Sequence, residues 1–299
     1  MKIFVVGSIN MDLVIGAPFM PENGVTITGY DFFQNPGGKG ANQAVACSKL
    51  GANTYMVGAV GRAFGDELIN TLNGYGVKTN YVKQLKNVSS GVAVIVVVDH
   101  DNRIILDAGS NALVNHQMID EALANASAGD YLICQLEIPQ EEVLYAFKKA
   151  KEKGMITLLN PAPAAKLLDG ILPLTDIFVP NQSECEFYTG IYPKEEQTVK
   201  EAFNKLASLG VKQSIITLGL DGSATIQNGK YLHVDAHKVN AVDTTAAGDT
   251  YIGALVTALS EGKDLKEAME FASLASSITV TKPGAQQAIP YRKEVEEMN

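Results

Sequence analysis

Short apolar runs alternate with longer amphipathic stretches along most of the chain. Ile3–Val6 is continuously apolar and ends in Gly7-Ser8, which predicts a short buried strand. Ala41–Leu50 has helical spacing and stops at Gly51. Tyr55–Val60 predicts a strand and Asp66–Leu72 a helix. After a middle region the alternation resumes, with strands expected at Tyr131–Cys134, Ile156–Leu159, Ile177–Val179 and Ser214–Thr217. Helices are expected at Gln140–Lys153, Glu195–Leu209, Thr250–Leu259 and Leu265–Thr279. Short apolar strands between helices predict an α/β fold, with a mostly parallel sheet covered on both faces. Sites in such sheets lie beyond the carboxyl ends of the strands. Asn10, Glu137, Asn160, Asn181 and Gly219 fall there.

Two stretches break this rhythm. Asp12–Phe33 lacks helical periodicity, and Val14, Ile15, Val25, Ile27, Tyr30, Phe32 and Phe33 suggest two short strands. Gly91–Val98 and Arg103–Leu106 read as a hairpin around Asp99-His100-Asp101-Asn102. We expect a single domain over residues 1–299, with a small second sheet built from insertions at about 12–34 and 91–107. Such a layer serves as a lid, a dimer surface or both. The alternative is ordinary edge strands of the main sheet.

The chain has 299 residues and 46% hydrophobic content, enough for a large core. Its formal net charge of −9 argues against nucleic acid or anionic lipid as partners. It leaves room for a small anionic ligand, which needs only local donors. Cys47, Cys134 and Cys185 are far apart and show no metal spacing, a pattern that suits a reducing compartment. His100, His116, His233 and His237 also lack metal spacing. Met1-Lys2 runs directly into the first strand, and the longest apolar run is Val92–Val98. A cytoplasmic protein with no membrane segment is expected.

The most telling stretch is Asp243-Thr244-Thr245-Ala246-Ala247-Gly248-Asp249, followed at once by a helix-forming run. Small residues at a helix start present backbone N–H groups to an anion. A carboxylate at its edge is placed to take a proton from a nucleophile attacking a bound phosphate. The other reading makes Asp249 a helix cap. A second cluster is Asn35-Pro36-Gly37-Gly38-Lys39-Gly40-Ala41-Asn42-Gln43-Ala44, which matches neither GxGxxG nor the Walker A pattern. Lys39, Asn42 and Gln43 at this helix start suit a polyhydroxylated ligand, and Asn10 and Asp12 add a second pair.

Together these pieces resemble the ribokinase branch of the PfkB carbohydrate kinase family, from residue 3 to about 290. The resemblance rests on Gly37–Ala44, on Asp243–Thr250, on the N-x-x-E element Asn181-Gln182-Ser183-Glu184, and on Gly7-Ser8-Ile9-Asn10-Met11-Asp12. Ala108-Gly109-Ser110-Asn111 and Glu137 after Gln135-Leu136 agree with it. It implies a ribokinase-like three-layer α/β/α fold with a β-sheet lid. It also implies transfer of a phosphoryl group from ATP to D-ribose, giving ribose 5-phosphate. Asp249 would be the base, and Ala246, Ala247 and Gly248 would form the anion hole. Asn10, Asp12, Gly38, Lys39, Asn42 and Glu137 would hold sugar hydroxyls, with Ala93 and Leu106 as an apolar wall.

For the nucleotide, the resemblance implies Asn181 and the Thr217-Leu218-Gly219-Leu220-Asp221-Gly222 loop, with Gly248 and, less centrally, Ser273. Glu184 would organise Mg²⁺ through water. An activating monovalent cation, K⁺, would sit among Asp243, Thr245, Thr279, Lys282, Gly284 and Ala288. Ala288 replaces a serine common in the family, and Pro283 stiffens the same loop. A clasped homodimer through the small sheets is implied as well. The rival readings are a kinase of the same family acting on fructose, 2-deoxyribose or adenosine, and a catalytically silent sugar-binding protein. A Rossmann oxidoreductase is disfavoured because Gly7-Ser8-Ile9-Asn10 is not GxGxxG.

Overall fold

The structure is a computed structural model that describes residues 1–99 and 101–298. Its strands are β1 (Lys2–Val6), β2 (Asn10–Gly16), β3 (Tyr30–Gly37), β4 (Asn53–Val60), β5 (Lys78–Gln84), β6 (Gly91–Val98), β7 (Asp101–Asp107), β8 (Tyr131–Cys134), β9 (Ile156–Leu159), β10 (Ile177–Phe178), β11 (Gln213–Thr217), β12 (Ser223–Gln227) and β13 (Lys230–Val234). The helices are α1 (Lys39–Lys49), α2 (Gly65–Gly74), α3 (His116–Leu123), α4 (Gln140–Glu152), α5 (Gln182–Thr189), α6 (Glu196–Ser208), α7 (Ala247–Ser260), α8 (Leu265–Thr279) and α9 (Arg292–Glu297).

A nine-stranded sheet runs in the order β13-β12-β11-β10-β9-β8-β1-β4-β5. It is parallel from β5 to β11, and β12 and β13 close one edge antiparallel. Alternate residues of one strand feed opposite cores. Ile3 and Val5 pack with α1, α2, α7, α8 and α9, while Phe4 and Val6 pack with α3, α4 and α6. This is the three-layer arrangement that the apolar runs predict.

The small sheet is separate, with the order β3-β2-β6-β7, so its members are not edge strands of the main sheet. β3 covers Tyr30–Gly37 and runs straight into the glycine turn. Val25 and Ile27 lie outside any strand, in the connection between β2 and β3. The hairpin turn is described except for His100, which lies outside the described residues.

Several elements had signals that the apolar pattern missed. The β12–β13 hairpin turns on Asn228-Gly229, both at positive φ (52° and 73°), the geometry of a two-residue type I′ turn. The short helix α5 opens on a capping box, Asn181 with Glu184. β5, at the far edge of the sheet, is polar and half-exposed and so shows no apolar run.

Two contacts fix the helix that enters the site. Gly253 of α7 lies so close to α1 that an added Cβ would stand 2.4 Å from the Ala46 Cβ. The amino ends of α1 and α7 are thereby brought together. At the other end of α1, the buried Lys49 ammonium donates to the carbonyls of Gln286 and Ile289, both at 2.8 Å. It also stands over the rings of Tyr75 and Tyr291. Burial pushes this ammonium down to about 8. The segment after α8 is thus anchored to the back of α1.

Candidate active site

The site lies beyond the carboxyl ends of the parallel strands, where α1 and α7 begin. Gly38, at φ 89°, turns the chain from β3 into α1, and a Cβ there would meet the Asn10 backbone nitrogen at 2.8 Å. Only glycine combines that conformation with that approach. The turn delivers Lys39 to the cavity and sets the buried Asn42 against α7. Asn42 donates through Nδ2 to Asp249 Oδ2 at 3.0 Å, and Gln43 through Nε2 to Asp249 Oδ1 at 2.9 Å. Asp249 stands in the first turn of α7, yet it does not cap that helix. The cap position is Ala246, in the left-handed conformation at φ 60°. A non-glycine residue there costs about 1–2 kcal/mol. It turns the chain so that α7 starts with its backbone facing the cavity. The Ala247 N–H closes a turn onto the Thr244 carbonyl at 3.2 Å. A Cβ added at Gly248 would meet nothing within 4 Å, so a ligand has open access to that backbone.

Gln43 is fully buried and spends its amide on Asp249 and other amides, which corrects the expectation that it meets a ligand. Asn42 keeps a buried Oδ1 without a partner among the described residues. It is an acceptor waiting for a donor.

The strand register explains how the small sheet reaches the site. Asp12 is paired with Ala93, and Ala93 with Leu106, so the three occupy one row and share one face. Ala93 is buried and Leu106 is exposed. Asn10, at the start of β2, accepts from Asn111 Nδ2 at 2.7 Å, and Asn111 Oδ1 takes the Ile9 N–H at 2.9 Å. Glu137 is held by the Ser8 hydroxyl at 2.5 Å and by the Lys39 N–H at 3.1 Å. Asn111 and Ser8 were not assigned roles from sequence. The quoted motifs contain both, but nothing local shows that they orient Asn10 and Glu137.

Burial first, and then Glu137 and Asp249, push Asp12 up to about 7. Burial pulls the Lys39 ammonium down, but Asp249, Glu137 and Glu184 together outweigh it and raise it. One cation thus stands among four carboxylates.

A cavity of about 220 Å³ opens beside Lys39, Asn181, Glu184, Ala246, Gly248 and Asp249. It adjoins a larger one of about 690 Å³, which contains Thr217, Gly219, Leu220, Gly222 and Ser273. Asn181, Thr217, Thr244, Ala247 and Gly248 line both. Asp221 lines neither, and its carbonyl pairs with His233 Nε2 at 2.7 Å. Glu184 accepts from the Asn181 N–H and Nδ2 at 2.9 and 3.0 Å, and its burial raises its pKa.

The residues expected around a monovalent cation converge in part. Asp243 Oδ1 accepts from the N–H and hydroxyl of Thr245, and Oδ2 takes the Gly284 N–H at 2.8 Å. Burial pushes this carboxyl up, but those donors outweigh it and hold it below the usual carboxylate range. No backbone N–H among the described residues donates to the carbonyls of Lys282, Gly284 or Ala288. Carbonyl oxygens left free in a loop whose Gly284 N–H reaches a carboxylate are of the type that suits a weakly hydrated monovalent cation. The Thr279 hydroxyl is instead spent on Thr250 and on the Ala275 carbonyl, and the Lys282 ammonium pairs with Glu294. Among the described residues no group of three or more His, Cys, Asp or Glu is arranged as a metal cage, and no helix is long and apolar enough to cross a membrane.

A family model described as pfkB family carbohydrate kinase matches residues 1–292. The chain belongs to this family. It is therefore a phosphotransferase of the sugar and nucleoside kinase type. A ribokinase of Haemophilus influenzae is 39% identical over 292 residues, covering 97% of this chain and 95% of that protein. A deoxyribokinase of Salmonella typhi is 36% identical, covering 97% and 96%. The solved structure of Arabidopsis thaliana ribokinase complexed with ribose and ATP superposes with a TM-score of 0.92 at 32% identity, covering 99% of this chain and 98% of that one.

The elevated Asp12 gives a pH prediction. In the ligand-free fold Asp12 keeps its proton up to about 7, whereas the unfolded chain loses it near 3.8. Its contribution to stability is complete below the lower value and is lost as pH rises through the upper one. Thermal melts of wild type and Asp12→Asn between about pH 4 and about pH 8 check this. The wild-type Tm should fall relative to the variant as pH rises, and a constant difference would contradict it.

Proposed function

We propose that the protein transfers the γ-phosphoryl group of ATP to the 5-hydroxyl of D-ribose. The observation that carries this reading is the Asp249 carboxylate. It is clamped by Asn42 and Gln43 at the open start of α7, beside an unpartnered buried Asn42 Oδ1. The relatives named for ribose, and the neighbour solved with ribose and ATP, support it.

Asp249 accepts the proton of the attacking hydroxyl, and its two fixed donors keep it oriented for that. Asn42 Oδ1, Asn10 Nδ2, Asp12 and Glu137 bond the remaining hydroxyls, while Ala93 and Leu106 cover the apolar edge of the ring. Lys39 and the backbone at Ala246 and Gly248 offset charge on the group in flight. The nucleotide lies in the larger cavity, against Thr217, Gly219, Leu220, Gly222 and Ser273, and its phosphates reach Asn181. Glu184 would hold the water shell of Mg²⁺, which would supply charge neutralisation for the phosphates. K⁺ fits the carbonyls of Lys282, Gly284 and Ala288 beside Asp243. The small sheet acts as a lid that excludes water. Cytoplasmic localisation accords with three buried, unpaired cysteines.

Kinetics test the acceptor and the base together. Asp249→Ala should lower kcat with ribose by about 10²–10⁴-fold while ATP still binds. A loss under about threefold would remove Asp249 as the base. In the same assay ribose should exceed 2-deoxyribose, fructose and adenosine in kcat/KM, because a site built to bond a hydroxyl rejects its absence. The deoxyribokinase relative makes 2-deoxyribose the second reading, and a higher kcat/KM for it would establish that one.

Replacing Na⁺ by K⁺ at fixed Mg²⁺ and ionic strength should raise the rate, despite Ala288. Equal rates would show that the loop between Asp243 and Ala288 selects no cation.

We further propose that two small sheets pack against each other in a homodimer. Phe32, Phe33, Ile104, Ile105 and Leu106 are between 48% and 72% exposed, with Val94 beside them. By the register, Phe33, Ile104 and Leu106 lie on the face of Ala93 and Asp12, and Phe32, Val94 and Ile105 on the other; apolar side chains left this exposed mark an interface. Sedimentation equilibrium without ligands should give twice the single-chain 31.9 kDa, and the single-chain mass would overturn the dimer.

A further inference from the structure

The amides behind Asp249 form a chain with one direction. The Val179 carbonyl, just past β10 and lining the smaller cavity, accepts from Asn160 Nδ2 at 3.1 Å. A carbonyl can only accept, so the Asn160 amide is fixed with Oδ1 turned away. That oxygen accepts from Gln43 Nε2 at 3.1 Å, while the second hydrogen of the same nitrogen reaches Asp249 at 2.9 Å. Gln43 Oε1 then accepts from Gln135 Nε2 at 2.6 Å. Turning the Gln43 amide over would set its oxygen against a carboxylate and another amide oxygen, three acceptors with no proton between them.

Resting on the reading of Asp249 as the base, we propose that Gln43 and Gln135 are positioning residues for phosphoryl transfer. They fix which lone pairs of Asp249 face the acceptor hydroxyl. Gln43 holds Oδ1 from behind, as Asn42 holds Oδ2. Gln135 touches neither cavity and acts only through Gln43. It is fully buried, and its Oε1 has no partner among the described residues. That oxygen lies against Gly7, where a Cβ would stand 2.1 Å away. An orphaned buried acceptor costs about 1–3 kcal/mol, which an apolar residue of the same shape would avoid. The amide earns its place through the N–H that it gives to Gln43.

The test uses the full chain with ATP and D-ribose and follows kcat and KM for ATP from about pH 6 to about pH 9. In Gln43→Glu a neutral carboxyl can still donate to Asp249 and accept from Gln135, whereas an ionised one cannot donate. The variant's kcat should therefore fall at least about tenfold as pH rises, a step absent from wild type, with KM for ATP within about threefold. A purely structural role would lower kcat equally at every pH, and a profile parallel to wild type overturns the proposal.

Gln135→Glu and Gln135→Met carry the test if Gln43→Glu does not fold. The first should lower kcat at least about tenfold and the second at least about threefold, both with KM for ATP nearly unchanged. Wild-type kcat in Gln135→Met would overturn the proposal. Asp249→Asn, run alongside, separates the two ideas. If it stays active, the base assignment fails and this proposal with it. If it is inactive while the glutamine variants behave as wild type, only the positioning role fails.

Discussion

The clamp of Asn42 and Gln43 on one carboxylate, Asp249, is the interaction on which the site depends. It joins the start of α1 to the start of α7, residues more than two hundred positions apart in the chain. A buried carboxylate without donors would cost several kcal/mol or take up a proton. Hydrogen bonds to a charged group contribute about 1.5–3 kcal/mol each, so two of them hold Asp249 in place and set its orientation. The crossing at Gly253 and Ala46 makes this geometry possible, because a larger residue at Gly253 would push the helices apart. Glycine at that crossing is a condition on the chemistry as much as on packing.

The same helix ties the site to the segment after α8. α1 starts on Gly38 in a conformation reserved for glycine and ends on the Lys49 ammonium, which grips two carbonyls of the segment after α8. That segment also contains Gly284, whose N–H is taken by Asp243, just upstream of the α7 start. α1, the loop around Gly284 and the start of α7 are therefore tied into one closed circuit of contacts. A cation bound in this loop, as proposed, would reach the α7 start through Asp243, which takes the Gly284 N–H.

Much of the fold was legible because parallel strands announce themselves. Tyr131–Cys134, Ile156–Leu159 and Leu265–Thr279 occur where the apolar pattern places them. The polar residues at strand ends followed from topology, since a sheet covered on both faces leaves only its ends for function. What escaped had a different physical origin. β5 is an edge strand with polar faces, and the β12–β13 hairpin is signalled by Asn228-Gly229 rather than by an apolar run. Helix starts were placed late at Lys39 and Ala247, because glycines and small residues hide the first turn. In the site, residue type identified the polar positions but not their partners. Gln43 reads as a ligand contact until the structure shows it turned inward, and Gln135 carries no motif of its own that separates it from core filling.

An acidic chain of net charge −9 that is proposed to bind a polyanionic nucleotide needs an account of its electrostatics. The answer is local. Asp12, Glu137, Asp249 and Glu184 crowd around Lys39, and three of them together keep that ammonium charged against the pull of burial. In the proposed reaction the carboxylates would hold sugar, proton and metal waters, while donors for phosphate would come from neutral backbone at the α7 start and from Asn181, with Lys39 beside them. Backbone N–H groups carry no titratable proton and no counterion, so they attract phosphate without cancelling the carboxylates that do the chemistry. The separation also explains the raised Asp12. Asp12 is buried beside the charges of Glu137 and Asp249, and in the ligand-free fold it is this carboxyl that takes up the proton. A polyhydroxylated ligand that donates to Asp12, as proposed for the sugar, would offset the same burial and repulsion, and its binding would then be linked to the charge state of this carboxyl.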